Sequence, residues 1–440
     1  MLHILHITTH MGGGVGRAID AMMCYEKQTH SDVEQTLMLL EKPLDKRFTN
    51  NCIAKGIDVV GKPPDKELPS FISRFDIVLI SWWNHPLMQK FLAAFPEVPV
   101  RLIFWVHVNA GTYPVFPYEF ADLADEVLVT SRFTLKNPAW TDNQRQKISP
   151  RLNLVYGMEN LEESNIPYKR NYKKSSIFKI GYLGTINYTK LNPEFNLICR
   201  KTIERIPEAE FTMIGLEDQE VVESIEKSGL NKCVKWAGFV ESPEKELLNF
   251  DVFAYPLNKF HFGSTENSLL EAMAAGLPIV VLNQSTEKTI IKNGETGLLA
   301  DNIDMFVEKI KYLYDNPALC RIIGQNARKY IKLEYKSSDN MKRFHQALDK
   351  TMQRSKKIVN FNALFGKTPI EYFLYFCGET QKAQFIKLLT SNDDFEIKKI
   401  IKTIPQIFKA KTKSSVHHFS VTFPESTELK RLDEMLYAGH

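Results

Sequence analysis

The sequence has few cysteines and no long apolar run. No CxxC pair occurs among the six cysteines, which favours thiols in a reducing cytoplasm over disulfides and offers no local metal cluster. No window approaches the roughly 20 apolar residues that a membrane span requires. The first ten residues, MLHILHITTH, lack a basic leader and are typical of a first strand rather than a signal peptide. We therefore expect a cytoplasmic protein, with any membrane contact peripheral.

Two common nucleotide-binding motifs are also missing. GGGVGR follows the first apolar run, but Arg17 takes the place of the last glycine of G-x-G-x-x-G, which disfavours a dinucleotide site. No GK[ST] follows, which excludes a P-loop. The glycine turn at Gly13 and Gly14 allows close backbone approach to a ligand, and it equally fits a tight strand-to-helix turn without one.

The composition is that of an ordinary globular protein. Of the 440 residues, 44% are hydrophobic and 25% are charged, and the length suits two or three domains. The net charge of +4 argues only weakly for an anionic partner and does not suggest a nucleic-acid binder.

Strand-like runs alternate with helix-length segments along the first part of the chain, at residues 2–7, 33–40, 57–60, 77–80, 100–106, 127–130 and 152–156. This alternation predicts a parallel sheet covered on both faces, with ligands beyond the carboxyl ends of its strands. Polar and aromatic side chains follow two of these runs, at residues 81–85 and 107–109. His107 should therefore face a crevice, either as a functional group or as a hydrogen-bonded structural residue.

The same plan is repeated after a polar, basic stretch at residues 168–176, which we interpret as an interdomain linker. Strand-like runs follow at 178–183, 209–214, 234–236 and 252–255. From residue 355 onward lysines outnumber acids among scattered apolar residues. This last part fits a basic amphipathic appendage on an anionic membrane, or a solvated helical tail.

Residues 263–281, GSTENSLLEAMAAGLPIVV, combine a small-residue turn, a helix pattern and a buried strand pattern. The turn at Gly263, Ser264 and Thr265 offers backbone donors and hydroxyls to an anion at a helix N-terminus. Glu266 and Glu271 lie about 500° apart on a helical wheel, so they must have different roles. The alternative is a buried βαβ element whose first carboxylate only complements the helix dipole.

Several of these segments together resemble the retaining nucleotide-sugar glycosyltransferases of family 4. The most specific are LLEAMAAGLPIVV and IIKNGETGLLADN, supported by IGYLGTI with Lys190 after it, by WVHVN and by GGGVGR. The resemblance covers about residues 2–355. It implies an α/β protein of the GT-B fold, with two facing Rossmann-like domains that have parallel sheets: an acceptor domain at 1–170 and a donor domain at 171–354. A basic, largely helical extension follows at 355–440.

The resemblance also implies a donor site that needs neither a metal ion nor another cofactor, in keeping with the lack of a convincing D-x-D pair. His107, Glu266 and Lys190 would be catalytic, with Lys190 as the cation for the diphosphate. Glu271 would accept hydrogen bonds from the ribose hydroxyls, and the Gly238 turn would hold the base through its backbone. The full donor-binding set comprises Gly13, Gly14, Arg17, Thr185, Gly238, Phe239, Val240, Gly263, Ser264, Thr265, Asn267, Ser268 and Glu271.

Two positions depart from the family pattern. The usual E-x7-E motif would place its first glutamate at Gly263, so Glu266 is the nearest substitute, and Thr185 stands where an arginine is common. We expect a retaining hexosyl- or N-acetylhexosaminyl-type transferase of polysaccharide biosynthesis, with a nucleotide-sugar donor and a glycan, lipid-linked or protein acceptor. The alternatives are a non-catalytic binding partner of another transferase and a sugar-nucleotide epimerase.

Overall fold

A computed structural model describes residues 1–30, 32–43, 45–157, 176–240 and 242–437 of the chain. Contacts divide the chain into two compact units. One comprises Met1–Glu159, Phe262–Thr265 and Asn340–His440, and the other comprises Asn160–His261 and Glu266–Asp339. The expected linker at 168–176 lies, apart from Ser176, outside the described residues. The chain from Asn340 onward groups with the first unit, whereas we expected the donor domain to continue to residue 354.

The first unit contains a parallel sheet in the strand order β3-β2-β1-β4-β5-β6-β7. Its central strands are buried along their whole length, which fits a sheet covered on both faces. The strands are β1 (Leu2–Thr8), β2 (Val33–Leu39), β3 (Asp58–Gly61), β4 (Ile77–Trp82), β5 (Leu102–Val106), β6 (Glu126–Val129) and β7 (Leu152–Leu154). All seven coincide with apolar runs in the sequence, so this part of the predicted architecture is confirmed.

Helices follow most of these strands, because apolar residues recur there at helical spacing. They are α1 (Gly13–Thr29), α2 (Arg47–Ala54), α3 (Leu68–Ser73), α4 (Pro86–Ala93), α5 (Tyr118–Asp122), α6 (Arg132–Leu135) and α7 (Asp142–Ile148). Helix α1 begins at the predicted glycine turn. A Cβ at Gly16 would lie 2.5 Å from the Met11 carbonyl carbon, so this close turn requires a glycine.

The second unit contains a parallel sheet in the order β10-β9-β8-β11-β12-β13. Its strands are β8 (Phe178–Leu183), β9 (Ala209–Ile214), β10 (Val234–Gly238), β11 (Val252–Tyr255), β12 (Ile279–Leu282) and β13 (Leu298–Ala300). Its helices are α8 (Phe195–Arg205), α9 (Gln219–Lys227), α10 (Glu244–Leu247), α11 (Asn267–Ala274), α12 (Glu287–Ile290), α13 (Ile303–Asp315) and α14 (Pro317–Glu334).

The C-terminal part is helical, as expected, and it packs into the core of the first unit. The ring of Phe376 lies 5.2 Å from that of Trp82, and the ring of Phe408 lies 4.1 Å from that of Tyr113. The helices are α15 (Ser337–Met352), α16 (Asn362–Phe365), α17 (Pro369–Tyr375), α18 (Glu379–Thr390), α19 (Asp394–Thr403), α20 (Gln406–Lys409), α21 (Val416–Thr422) and α22 (Thr427–Tyr437). Interpreting this part as a solvated tail was therefore wrong, because residues such as Ile404 and Ile407 are buried.

Among the described residues, none of the helices is both long enough and apolar enough to traverse a lipid bilayer.

Candidate active site

The second sheet reverses its strand order between β8 and β11, and ligands of such sheets bind beyond the carboxyl ends of the strands at that point. The loop after β8 carries Lys190, and the loop after β11 leads to His261 and Glu266. Backbone pairing joins the two loops. Leu191 pairs with Leu257 in an antiparallel bridge, and the Asn258 N–H donates to the Lys190 carbonyl at 2.7 Å.

These loops surround the Glu266 carboxylate with three polar side chains. The Tyr255 hydroxyl donates to Oε2 at 2.7 Å, Lys190 Nζ lies 3.1 Å from Oε2, and His261 Nδ1 lies 3.5 Å from Oε1. His261 Nε2 lies in turn 2.9 Å from Glu287 Oε1. The side chains of Glu266 and Glu287 are 0% exposed, so this is a buried ionic network.

The neighbours of Glu266 and of His261 shift the pKa of both groups. Burial alone would raise the pKa of Glu266, but Lys190, His261 and Tyr255 together hold it below its usual value. Burial opposes the imidazolium form of His261, yet the Glu287 and Glu266 carboxylates outweigh that effect and raise its pKa. The network therefore favours an ionised Glu266 beside the Lys190 ammonium, and it favours the imidazolium form of His261.

Glu266 does not cap the helix that follows it. It occupies the N-cap position of α11 with φ 53° and ψ 57°, a left-handed conformation that is uncommon for a residue with a side chain. Its side chain makes no capping hydrogen bond, because the carboxylate is held by Lys190 and Tyr255 instead. The carboxylate of Glu266 is thus bound by side chains of the neighbouring loops and not by the N–H groups of α11, and its complementing of the helix dipole stays a prediction.

Helix α11 carries the other acidic candidate. Glu271 is buried in the middle of this helix, at 7% exposure. Asn267 and Ser268 form its half-buried first turn, and Asn267 Oδ1 is buried without a hydrogen-bond partner among the described residues. The predicted roles of these three residues in donor binding stay predictions.

The small residues before Glu266 group with the first unit. The Ser264 hydroxyl donates to the His107 carbonyl at 3.0 Å, and the Thr265 hydroxyl donates to the Thr130 carbonyl at 3.3 Å. Both hydroxyls thus already have partners, while Gly263 is half-buried beside them. Their assignment as donor ligands is untested.

His107 follows β5 directly, as predicted. Its ring lies 4.4 Å from that of Trp105, and Nε2 is buried without a hydrogen-bond partner among the described residues. Burial lowers the pKa of His107 to about 3, so the imidazole is neutral at physiological pH.

The other predicted donor loops lie at the carboxyl ends of β8, β9 and β10. Thr185 is exposed, and its carbonyl accepts a hydrogen bond from the Tyr182 hydroxyl at 2.8 Å. The Gly215 N–H donates to the Gly238 carbonyl at 2.9 Å. Phe239 is 56% exposed, and Val240 is half-buried next to it. A Cβ at Gly215 would lie 1.9 Å from the Gly184 carbonyl oxygen, so these loops pack backbone against backbone.

The glycine turn of the first unit is open. Gly13 and Gly14 are exposed, and a Cβ at either position would meet no atom within 4 Å. Gly13 has φ 59°, and Arg17 is half-buried at the start of the second turn of α1.

Metal-ligand side chains meet at several places among the described residues. Four groups have their ligand atoms within 4.8 Å of one another: His10, Glu41 and His85; Asp20, Cys24 and Cys52; Glu26, His30 and His345; and His261, Glu266 and Glu287. In the last group the ammonium of Lys190 already neutralises Glu266. The expectation that no metal is required stays a prediction.

His261 and Glu287 were not among the residues predicted from the sequence. Both are buried partners of the network, and only the folded structure brings them to Glu266. Tyr255 could have been found, because it is the last residue of the apolar run VFAY, and strand ends of this kind carry site residues.

Comparison with solved structures identifies the fold. The two sheets and their helices match solved glycosyltransferases of the GT-B fold, and the chain has that fold. HepE of Anabaena, solved in complex with UDP-glucose, has a TM-score of 0.59 at 15% identity over 79% of this chain and 100% of that chain. A glycosyltransferase from Rickettsia africae has a TM-score of 0.62 at 14% identity over 80% of this chain and 99% of that chain.

The family is indicated by sequence. Residues 169–330 match the model of the glycosyl transferases group 1, and this part of the chain contains Lys190, Tyr255, His261 and Glu266. The capsular polysaccharide biosynthesis glycosyltransferase CapM of Staphylococcus aureus is 27% identical over 186 residues, which cover 40% of this chain and 47% of CapM. The chain thus spans about half the length of the curated relatives that it matches.

Proposed function

We propose that this protein is a retaining glycosyltransferase that moves a hexosyl or N-acetylhexosaminyl group from a nucleoside diphosphate sugar to a glycan, lipid-linked or protein acceptor. The observation that carries the proposal is the buried network of Lys190, His261 and Glu266 at the strand-order reversal of the second sheet. It lies within the part of the chain that matches the glycosyl transferases group 1. The name of CapM makes polysaccharide biosynthesis the process to examine first, and we place the protein in the cytoplasm.

The reaction breaks the bond between the anomeric carbon and a phosphate oxygen, and negative charge grows on the departing diphosphate. Lys190 can stabilise this charge, because an ammonium has three N–H donors and Glu266 engages only part of them. Its side chain is 22% exposed, so it is reachable by a ligand, whereas Glu266 is not exposed. The acceptor oxygen then bonds to the anomeric carbon, and its proton leaves to the diphosphate or to water.

In this proposal the cations of the protein replace a metal ion. Lys190 and the N-terminus of α11 supply positive charge to the diphosphate, and Glu266 holds Lys190 in position. Glu271 binds the ribose hydroxyls.

Transfer by the purified chain in the presence of EDTA tests the proposal. UDP-glucose is the first donor to use, with UDP release measured with and without added acceptor and the anomeric configuration of the product determined by NMR. We expect UDP release that EDTA does not reduce and retention in the product. An inverted product, or release that requires a divalent ion, would contradict the mechanism. Conversion of the donor without an acceptor into an epimer would instead identify an epimerase.

A non-catalytic binding partner is the second candidate, favoured by Gly263 at the position of the first motif glutamate. This candidate predicts that no nucleotide sugar releases its nucleoside diphosphate in the presence of the protein.

We further propose that helix α19 touches an anionic membrane. Phe395, Lys398, Lys399 and Lys402 are spaced i, i+3, i+4 and i+7, so they share one face of the helix. Phe395 is 79% exposed and the three lysines are exposed, while Ile397, Ile400 and Ile401 pack against the core of the first unit. This face combines one apolar anchor with three positive charges.

Vesicle binding of the full-length chain tests this contact. Each lysine near an anionic surface contributes about 1 kcal/mol, so we expect binding to phosphatidylserine vesicles and much weaker binding to phosphatidylcholine. The Phe395→Ser variant and the Lys398→Glu/Lys402→Glu variant should each lose most of the binding to phosphatidylserine vesicles. Val421→Ser removes another exposed apolar side chain, 63% exposed on α21, and should bind like the unmodified chain. Equal binding by all variants would refute the contact.

A further inference from the structure

The first sheet has its own reversal of strand order, between β1 and β4. His10 lies just beyond β1, and Trp83 and His85 lie just beyond β4. Glu41 follows β2, and its N–H donates to the Thr9 carbonyl at 3.0 Å, which keeps it beside the end of β1. Ring contacts join the cluster: the ring centroids of His10 and His85 lie 5.2 and 4.9 Å from that of Trp83.

The C-terminal part of the chain completes this cluster. The Lys413 ammonium donates to His10 Nε2 and lies 5.5 Å from the Trp83 ring. The ring of His418 lies 4.5 Å from that of His85. Two residues that are remote in sequence from the sheet thus stand at its ligand-binding edge.

Hydrogen bonds fix the Lys413 loop to the loop after β4. The Ser414 hydroxyl donates to the Asn84 carbonyl at 2.9 Å, and the Tyr113 hydroxyl donates to the Ser414 carbonyl. The Asn84 amide in turn donates to the Tyr113 hydroxyl at 3.2 Å. Asn84 and Ser414 have φ of 64° and 67°, which are left-handed conformations that a residue with a side chain adopts only at a cost. The structure therefore holds this loop in one defined position.

The backbone determines which imidazole nitrogens carry protons. The Leu87 N–H donates to His85 Nδ1 at 3.2 Å, and the Ser414 N–H donates to His418 Nδ1 at 3.0 Å. Burial lowers the pKa of His85 to about 2 and of His418 to about 4, and Lys413 adds to both effects, so both rings are neutral. A neutral imidazole whose Nδ1 accepts has its proton on Nε2. His85 and His418 therefore present N–H donors.

The cluster balances one positive and one negative charge, Lys413 and Glu41. Glu41 Oε1 lies 3.8 Å from Nε2 of both His10 and His85, which is longer than a hydrogen bond. The carboxylate side chain is 37% exposed, so a ligand can reach it from solvent. The Glu41 carboxylate would repel an anionic ligand. A divalent cation would be opposed by the N–H at Nε2 of His85 and by the Lys413 ammonium, which already occupies Nε2 of His10.

We propose that this cluster of His10, Glu41, Trp83, His85, Lys413 and His418 binds a neutral, hydroxyl-rich ligand, the sugar ring of the acceptor. Each sugar hydroxyl both donates and accepts a hydrogen bond, so it can bond to the Glu41 carboxylate and to the imidazole and ammonium donors beside it. The Trp83 ring supplies an apolar surface for the C–H groups of the sugar ring. The inference rests on the proposed function, because it names the acceptor of that reaction. The C-terminal part of the chain is then a component of the acceptor site.

Saturation-transfer NMR on the full-length chain tests the assignment. The probes are methyl glycosides of glucose, galactose, mannose, N-acetylglucosamine and N-acetylgalactosamine, each recorded with and without saturating UDP. We expect at least one glycoside to bind in the presence of UDP, and Lys413→Met and His418→Gln each to weaken that binding about tenfold.

Neighbouring residues of the same type provide matched controls. Lys411 lies 5.3 Å from the Tyr437 ring and His417 Nδ1 lies 3.0 Å from Asp433 Oδ2, so Lys411→Met and His417→Gln should bind the glycoside unchanged. The inference is overturned if none of the five glycosides binds, or if Lys413→Met and His418→Gln bind as well as the controls. Calorimetric binding of Zn²⁺ that Glu41→Gln abolishes would also overturn it, in favour of a metal. UDP binding is measured in a separate titration. A chain that binds a glycoside but not UDP would contradict the proposed function and leave the sugar site intact.

Discussion

Replacing Lys190 with methionine should unfold the chain at a temperature lower by about 6 °C or more and reduce transfer at least about a hundredfold. The substitution leaves the fully buried Glu266 carboxylate without its ammonium partner, and breaking one side of a buried ion pair costs about 3 to 5 kcal/mol. Transfer falls as well, because a donor to the departing diphosphate is lost. Calorimetric melting and UDP release measure the two effects.

A second substitution separates these two effects. The double variant Lys190→Met/Glu266→Gln has no unpaired carboxylate. We therefore expect it to recover most of the decrease in melting temperature that Lys190→Met causes, while its transfer activity stays low. Lys201 is a matched control in the same unit, because it pairs with Asp304 at the exposed surface, and Lys201→Met should change neither quantity measurably. A Lys190→Met protein that melts and transfers like the unmodified chain would refute the role of the buried pair.

Replacing Glu271 with glutamine should weaken use of the donor about 10- to 100-fold. Hydrogen bonds from ribose hydroxyls to a charged carboxylate contribute about 1.5 to 3 kcal/mol, and glutamine retains the shape without the charge. Because the ribose is remote from the bond that breaks, the loss should fall mainly on the KM for the donor rather than on kcat. Initial rates at varied UDP-sugar concentrations measure this division.

Glu295 is the control for this substitution, since it is exposed in the turn between α12 and β13. Glu295→Gln should leave both kinetic constants unchanged. If Glu271→Gln also behaves like the unmodified chain, the assignment of Glu271 to the ribose is wrong.

The strands could be predicted because most are rich in apolar residues and bounded by polar turns, as in IVLISW of β4 and IVVL of β12. The placement of the C-terminal part could not. Spacing shows that Ile407 and Phe408 belong to an apolar face, but not that this face packs near Tyr113 in the core of the first unit. Such a contact joins residues that are far apart in sequence, and periodicity carries no information about them.

For the site, too, individual residues could be predicted from the sequence, but their contacts could not. Lys190 and Glu266 were identified from the motifs around them, and their pairing at 3.1 Å required the fold. His261 was missed because a single histidine in a loop has no pattern that distinguishes it. The partners of Ser264 and Thr265 were missed for another reason: their hydroxyls bond to backbone carbonyls of His107 and Thr130, and no sequence motif encodes a backbone acceptor.

The proposed mechanism requires that the second unit bind a nucleoside diphosphate through Lys190. Titration calorimetry of the full-length chain with UDP and GDP, in EDTA, tests it most directly. We expect one of the two nucleotides to bind, Lys190→Met to weaken that binding at least about tenfold, and Lys201→Met to leave it unchanged. Absence of binding for both nucleotides, or equal binding by the Lys190→Met protein, would contradict the account.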